Sequence, residues 1–423
     1  MIAVIRQTRE LKGAVFAPPS KSYTHRLIIT ATLTQGRTLI DSPLICEDTE
    51  ATFKACECFG AEVVRGRGSM IVYGPAKLKA PDEPIDCGES GSTMRFLIPV
   101  AALADGKTVL TGSLGLLRRP VGPLVDALRD LGVSCTFEKG YPPVVVKGGL
   151  AGGRTSIVGD VSSQFITGLL LACPLARKDT EVSVSTPLES RPYIRLTLRI
   201  LKRYGIKVNA SEGLRRFRIP GQQHYAATDH LVPGDYSSAA FLLAAAAVTG
   251  SSVIVRNLSQ EPDQPDSDIR DILQKMGARV ETTRETVEVK GGRLEGIEVD
   301  ARDIPDLVPV MAALGCKASG TTRIVRAGRL RLKESDRLSA ITELRRFGAM
   351  IREEEGGLTV KAPRVLKGAE VESHNDHRIA MACAVLGLVS EGETQIRGAE
   401  CVAKSYPRFF DDLRSLGGNV TVG

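Results

Sequence analysis

The sequence predicts an α/β protein of two domains, built from six repeated units whose buried helices are surrounded by sheets. Three observations carry that expectation. A helix–Gly–strand phrase recurs six times, an almost wholly apolar helix recurs with the same period, and 423 residues exceed one ordinary core.

The first phrase reads, in order, "ACECFGAEVV", "ALRDLGVSCTF", "ILKRYGIKVNA", "ILQKMGARVET", "LRRFGAMIRE" and "LRSLGGNVTV". Its glycines are Gly60, Gly132, Gly205, Gly277, Gly348 and Gly417, at intervals of 72, 73, 72, 71 and 69 residues. Each Gly suits the left-handed position just past a helix C-terminus, and the alternating tail suits a strand. The second phrase reads "SYTHRLIITATL", "GSTMRFLIPVAAL", "SSQFITGLLLACPL", "SSAAFLLAAAAVTG", "PDLVPVMAALGC" and "NDHRIAMACAVLGL". A helix apolar on every side is a buried helix. Runs such as "GRTLI", "GKTVL" and "GTTRI" follow as strands. The stretch from His224 to Ser238 separates the third unit from the fourth, so the chain divides three plus three.

The polar starts of the six buried helices should gather at one end of each bundle. The first start, "FAPPSKSYTHR", is forbidden to be helical up to about Pro19, and Ser20 or Ser22 can then cap the helix. Free N–H groups and the positive dipole end lie there beside Lys21, His25 and Arg26, a combination that suits an anion. The later starts add Glu89, Ser90, Gly91 and Arg95, then Ser162, Ser163 and Gln164, then Asp235 and Ser237, then Asp306, and finally Asn375, Asp376, His377 and Arg378. Interleaved turns carry Arg118, Arg119, Arg191, Arg195, Lys333, Glu334, Arg337 and Lys404. Many cations, several hydroxyls and a few isolated carboxylates fit two polyanionic substrates, with carboxylates left for proton transfer.

Composition narrows the classes. A net charge of +7 suits small anionic substrates or nucleic acid, but aromatics are 4% and Trp is absent, which disfavours a base-stacking platform. No nucleic-acid partner is expected. Nine scattered cysteines without a CxxC pair point to reduced thiols rather than a zinc site. The start "MIAVIRQTRELKG" has the character of neither a signal nor a transit peptide, and no apolar run reaches membrane length. A cytoplasmic protein with no membrane partner is expected. Neither a Walker A motif nor GxGxxG occurs at a strand-to-helix turn.

The blocks "PPSKSYTHR", "GESGSTMRF", "RRPVGPLVDAL", "DVSSQFITGLLLA", "SRPYIR", "GDYSSAAFLLAAA", "IPDLVP", "LRLKESDRL", "NDHRIAMA" and "AKSYPRFF" resemble, in the same order, the 5-enolpyruvylshikimate-3-phosphate synthase family. The resemblance implies a two-domain inside-out α/β barrel of six βαβαββ-type repeats, three per domain. It implies an N-terminal domain over residues 13–229 and a C-terminal domain of residues 1–12 plus 230–423, with the site in the cleft between them. It implies transfer of the enolpyruvyl group of phosphoenolpyruvate to the 5-hydroxyl of shikimate 3-phosphate, releasing phosphate, with no cofactor and no metal. The enzyme would be a monomer, and glyphosate would compete with phosphoenolpyruvate.

By the same resemblance, Ser162, Ser163 and Ser190 take the shikimate phosphate, while Lys21, Ser22, Arg26, Gln164, Tyr193, Asp306 and Lys333 hold the ring. Phosphoenolpyruvate falls to Lys21, Gly91, Arg119, Gln164, Arg337, Arg378 and Lys404, with Gly91 allowing close approach to the backbone. Lys21, Asp306 and Glu334 are the catalytic assignments. Glu89, Phe96 and Arg329 depart from the family pattern, which commonly has Asn, Pro and Asn there. An acidic Glu89 beside an anion site would need a cationic partner. The sister UDP-N-acetylglucosamine enolpyruvyl transferase works with a loop cysteine, whereas Thr111 to Gly122 holds none.

Overall fold

The computed structural model describes residues 1–258 and 264–423. The chain forms two compact units, Met1–Pro18 with Pro233–Gly423, and Pro19–Val232. Among the described residues there are six four-stranded sheets, and all share one plan. A short strand lies parallel to the second, and the next two neighbours are antiparallel.

The unit Pro19–Val232 contains three of these sheets. Their strand orders are His230–Leu231, Gly36–Asp41, Ser69–Gly74, Glu62–Arg65; then Ile85–Asp86, Lys107–Thr111, Tyr141–Lys147, Ser134–Glu138; then Gly153–Ile157, Thr180–Val184, Arg216–Ile219, Asn209–Ala210. A parallel pair needs a crossover, and here the apolar helix supplies it, as Gly91–Ala101 does between Ile85–Asp86 and Lys107–Thr111. The helices Lys21–Thr32, Gly91–Ala101 and Ser163–Ala172 are buried along nearly their whole length. Buried threonines in the first of them are satisfied locally: the hydroxyls of Thr24, Thr30 and Thr32 donate to carbonyls four residues back, at 2.8, 2.8 and 2.9 Å. Outer helices Glu47–Cys58, Gly122–Asp130 and Arg191–Arg203 each bury one face, such as Leu124, Val125, Ala127 and Leu128.

The second unit repeats the plan around Tyr236–Thr249, Val308–Gly315 and His377–Gly387. Every residue from Tyr236 to Val248 is buried, which explains a helix made mostly of Ala, Leu and Phe. The outer helices are Ile269–Lys275, Arg337–Ile341 and Phe409–Ser415. The fifth copy differs from the expected regular helix: after one α turn it tightens into a 3-10 stretch, Thr342–Phe347. All six phrase glycines have positive φ, from 75° at Gly205 to 101° at Gly277, as a left-handed helix exit requires.

Two strands are exchanged. Lys12–Phe16 precedes the buried helix Lys21–Thr32 but pairs, residue for residue, with Ser252–Arg256. His230–Leu231 precedes the buried helix Tyr236–Thr249 but pairs with Ile40 and Asp41. These pairings correct the expected bounds: residues 13–18 lie with the C-terminal unit and residues 230–232 with the other. Ile2–Arg6 fills the third place of the last sheet, between Glu393–Arg397 and Val420–Val422.

Candidate active site

The buried-helix starts meet within each unit. In Pro19–Val232, Ser20 occupies the N-cap position in extended backbone, but its side chain makes no cap hydrogen bond, and Ser22 falls inside the first turn. The expected serine cap hydrogen bond is not made at this helix start. Lys21 pairs with Asp48 at 2.7 Å, and the Ser22 carbonyl accepts from Arg26 Nη1 at 2.8 Å. Arg26 also donates to Thr197 (2.8 Å), to the Tyr193 carbonyl (3.2 Å) and to Thr167 (3.4 Å), and it lies over the Phe96 ring. Burial draws its pKa down to about 10. This cation is thus engaged by protein oxygens and arranges Ser22 and Tyr193.

The starts of Gly91–Ala101 and Ser163–Ala172 are stitched together by side chains. Arg95 donates to Gln164 Oε1 at 2.9 Å and to Ser162 at 3.4 Å, and Gln164 Nε2 donates to Ser92 at 2.8 Å. Ser162 caps its helix through the Gln164 amide, and Ser163 is its first residue. Ser190 stands in the left-handed region (φ 55°) immediately before Arg191–Arg203, the helix that carries Tyr193. His25 Nδ1 meets Thr52 at 2.7 Å, Thr52 meets Thr93 at 2.6 Å, and Thr93 donates to Ser90 at 2.7 Å. Burial, then Lys21 and Arg26, hold His25 well below its ordinary pKa, so the link is made by neutral imidazole.

Gly91 lies against the Arg119 side chain. A Cβ built there would stand 2.6 Å from Arg119 Nη1 and 2.7 Å from its guanidinium carbon. The space above Gly91 therefore holds the buried Arg119 head. Glu89, one of the departures from the family pattern, accepts from the Ser113 hydroxyl.

The other unit concentrates charge. Asp306, in the turn Pro305–Leu307 that opens its buried helix, accepts from Lys333 (3.2 Å), Arg337 (3.0 Å) and Arg378 (3.1 Å). Arg337 is 1% exposed and also binds Asp376, itself 0% exposed, at 2.8 Å, together with Glu334. Burial alone would lower the Arg337 pKa, but Asp376, Glu334 and Asp306 hold it above its ordinary value. Lys333 goes the other way. Burial outweighs Asp306 and draws it down to about 8. Asp376 caps His377–Gly387 through the Arg378 amide at 2.9 Å, and Lys404 donates to the Asn375 carbonyl at 2.8 Å.

An end-to-end sequence comparison decides the family. The model for EPSP synthase (3-phosphoshikimate 1-carboxyvinyltransferase) matches residues 5–413. The chain belongs to the EPSP synthase family. Among relatives in that family, the 3-phosphoshikimate 1-carboxyvinyltransferase of Methanocella arvoryzae is 46% identical over 428 residues, covering 100% of both chains. That of Methanococcus maripaludis is 41% identical over 427 residues, covering 99% of each. The EPSP synthase of Acinetobacter baumannii superposes with a TM-score of 0.84 at 29% identity, over 100% of this chain and 99% of that one. The fold is accordingly the two-domain inside-out α/β fold of this family.

The candidate residues sort by unit. Lys21, Ser22, Arg26, Gly91, Arg119, Ser162, Ser163, Gln164, Ser190 and Tyr193 lie in Pro19–Val232, and Asp306, Lys333, Glu334, Arg337, Arg378 and Lys404 in the other. The sequence reading assigns no role to Asp48 or Asp266. Asp48 holds Lys21, and its only sequence signal is an acidic residue in the first turn of an outer helix. Among the described residues, no group of three or more His, Cys, Asp or Glu could hold a metal ion. No helix there is long and apolar enough to cross a membrane.

Proposed function

We infer that this chain transfers the enolpyruvyl group of phosphoenolpyruvate to the 5-hydroxyl of shikimate 3-phosphate, giving 5-enolpyruvylshikimate 3-phosphate and phosphate. The family match over residues 5–413 carries the reading. The chemistry asks for an added proton on the methylene carbon, removal of the hydroxyl proton, and later return of a carbon-bound proton as phosphate leaves. In our reading, Ser162, Ser163 and Ser190 receive the shikimate phosphate, and Lys21, Ser22, Gln164, Tyr193, Asp306 and Lys333 address the ring, with Arg26 bracing Ser22 and Tyr193. Arg119, Arg337, Arg378, Lys404 and Lys21 take the phosphoenolpyruvate anion. Each set draws residues from both units, so in this reading each substrate engages both.

Asp306 orients the attacking hydroxyl, with Lys333, Arg337 and Arg378 gathered on its side chain. An anion arriving at Arg337 or Arg378 competes with Asp306 for their donors, so binding shifts the charge around the carboxylate that faces the hydroxyl. Phosphate release from phosphoenolpyruvate, assayed with and without shikimate 3-phosphate, tests the function directly. Release that does not depend on shikimate 3-phosphate would overturn it.

Two substitutions probe the Pro19–Val232 side. Arg119→Ala should impair phosphoenolpyruvate use and leave shikimate 3-phosphate binding largely intact, since losing one partner of a charge-assisted pair to a desolvated anion typically costs ~2–5 kcal/mol. A comparable loss of shikimate 3-phosphate affinity, measured by calorimetry, would place Arg119 on the other substrate. Gly91→Ala should act through Arg119, because the new methyl must push the guanidinium aside. Its KM for phosphoenolpyruvate should rise, and inhibition by glyphosate, the longer anion, should weaken more. Equal factors for the two ligands would remove the steric argument.

A further inference from the structure

Asp266 is a buried carboxylate that the reaction scheme above does not use. It sits in the left-handed region (φ 62°), a conformation an Asp tolerates better than most residues but one that needs surrounding structure to hold it. Its Oδ2 accepts from the Ser237 hydroxyl, in the first turn of Tyr236–Thr249. The carbonyl of the same Ser237 accepts from Arg378 Nη1 at 3.3 Å. Arg378 in turn reaches Asp306 through its Oδ2 at 3.1 Å and its carbonyl at 3.4 Å. One serine thus joins a buried acid to a cation assigned to phosphoenolpyruvate.

We propose that Asp266 is a positioning residue for the phosphoenolpyruvate side of the site: through Ser237 it fixes the Arg378 guanidinium against Asp306, and its own charge sets how strongly that guanidinium holds an anion. The proposal rests on the assignment of Arg378 to phosphoenolpyruvate.

Among the described residues, charged groups on three elements act on Asp266. Asp306 faces it from the turn Pro305–Leu307, Arg378 from His377–Gly387, and Asp235 from the cap of Tyr236–Thr249. Asp235 is committed to its helix, accepting from the Ser238 amide at 3.1 Å and hydroxyl at 2.8 Å. Burial first, and then Asp306, push the Asp266 carboxyl up to about 7, while Arg378 and the Ser237 hydroxyl pull it down. Neutral, Asp266 leaves the Arg378 charge to the substrate; anionic, it competes for that charge, and the raised pKa favours the neutral form more than in an ordinary carboxyl. A bound anion raises the Asp266 pKa further, and by reciprocity the protonated enzyme binds the anion more tightly, tenfold for each unit of that rise.

The experiment compares the KM for phosphoenolpyruvate from pH 6 to pH 8 in the full chain and in Asp266→Asn, with kcat recorded in parallel. The substrate's own ionisation is common to both enzymes, so the ratio of their KM values isolates Asp266. The KM of the parent should rise with pH about three- to tenfold more than that of Asp266→Asn, whose site cannot ionise. Thermal unfolding checks that the variant folds. If it does not, Ser237→Ala serves instead: it keeps the acid and removes the bridge, which should raise KM without abolishing the pH-dependent rise. Parallel KM profiles in parent and Asp266→Asn, or an unchanged KM in Ser237→Ala, would overturn the proposal. A parent that releases no phosphate with shikimate 3-phosphate present would instead overturn the functional reading beneath it.

Discussion

Glu334→Gln is expected to bind both substrates and to turn over roughly 10²–10⁴-fold more slowly, the usual worth of a general acid–base group. Glu334 lies in the turn before Arg337–Ile341 and accepts from Arg337 Nη2, with Lys333 as its chain neighbour. Glutamine keeps the length and still offers a carbonyl oxygen to that guanidinium. What it cannot do is exchange a proton. In the scheme proposed here, Glu334 and Lys21 handle proton traffic on the phosphoenolpyruvate side while Asp306 serves the hydroxyl. Single-turnover kinetics with substrate excluded from exchange separate chemistry from release. Near-normal chemistry in Glu334→Gln would make the carboxylate an orienting partner of Arg337 and remove it from the proton path.

The second large effect is on stability. Asp376→Ala should cost about 3–5 kcal/mol, the loss that follows when one partner of a buried ion pair is removed. Both side chains of the Arg337–Asp376 pair are essentially inaccessible, and Asp376 does three jobs at once. It accepts from Arg337, it accepts from Ser335 at 3.1 Å, and it caps His377–Gly387 through the Arg378 amide. The cap alone is worth about 1 kcal/mol. Asp306 and Glu334 stay on Arg337 in the variant, which keeps the loss from exceeding this range. Urea unfolding, with amide exchange in His377–Gly387 as the local probe, reads the effect. A loss under about 1 kcal/mol would mean that the two remaining carboxylates hold Arg337 by themselves.

Much of this architecture is legible in the amino-acid order because it is local. The six phrase glycines announce left-handed exits, and each has the positive φ that the phrase requires. The apolar helices announce their burial by having no polar face, and Asp235, Ser162 and Asp376 announce helix starts that the structure caps with those side chains. The strand exchange is not local. Nothing within "KGAVF" says that its partner is Ser252–Arg256 rather than Gly36–Asp41, the strand that follows its own helix, because both are short runs containing β-branched residues. Side-chain partnerships are hidden for the same reason. Asp48 under Lys21, Arg119 over Gly91 and Asp266 behind Ser237 each depend on a fold that brings distant turns together. The 3-10 stretch Thr342–Phe347 was equally out of reach, since its residues carry an ordinary amphipathic pattern.

The place of Ile2–Arg6 has a consequence for how the molecule is made. This strand runs between Glu393–Arg397 and Val420–Val422, so it is an interior strand whose two neighbours are the last strands of the chain. A ribosome adding about 5–20 residues per second exposes the first strand roughly 20–80 s before its neighbours exist. During that interval Pro19–Val232 has every strand of its three sheets and can fold. The other unit must wait with Ile2–Arg6 unpaired, and its pairing closes a long loop from Arg6 to Glu393. Synthesis order therefore divides the molecule into an early-folding half and a late-folding half, and the nascent chain's exposure to wrong partners is concentrated in its first sixteen residues.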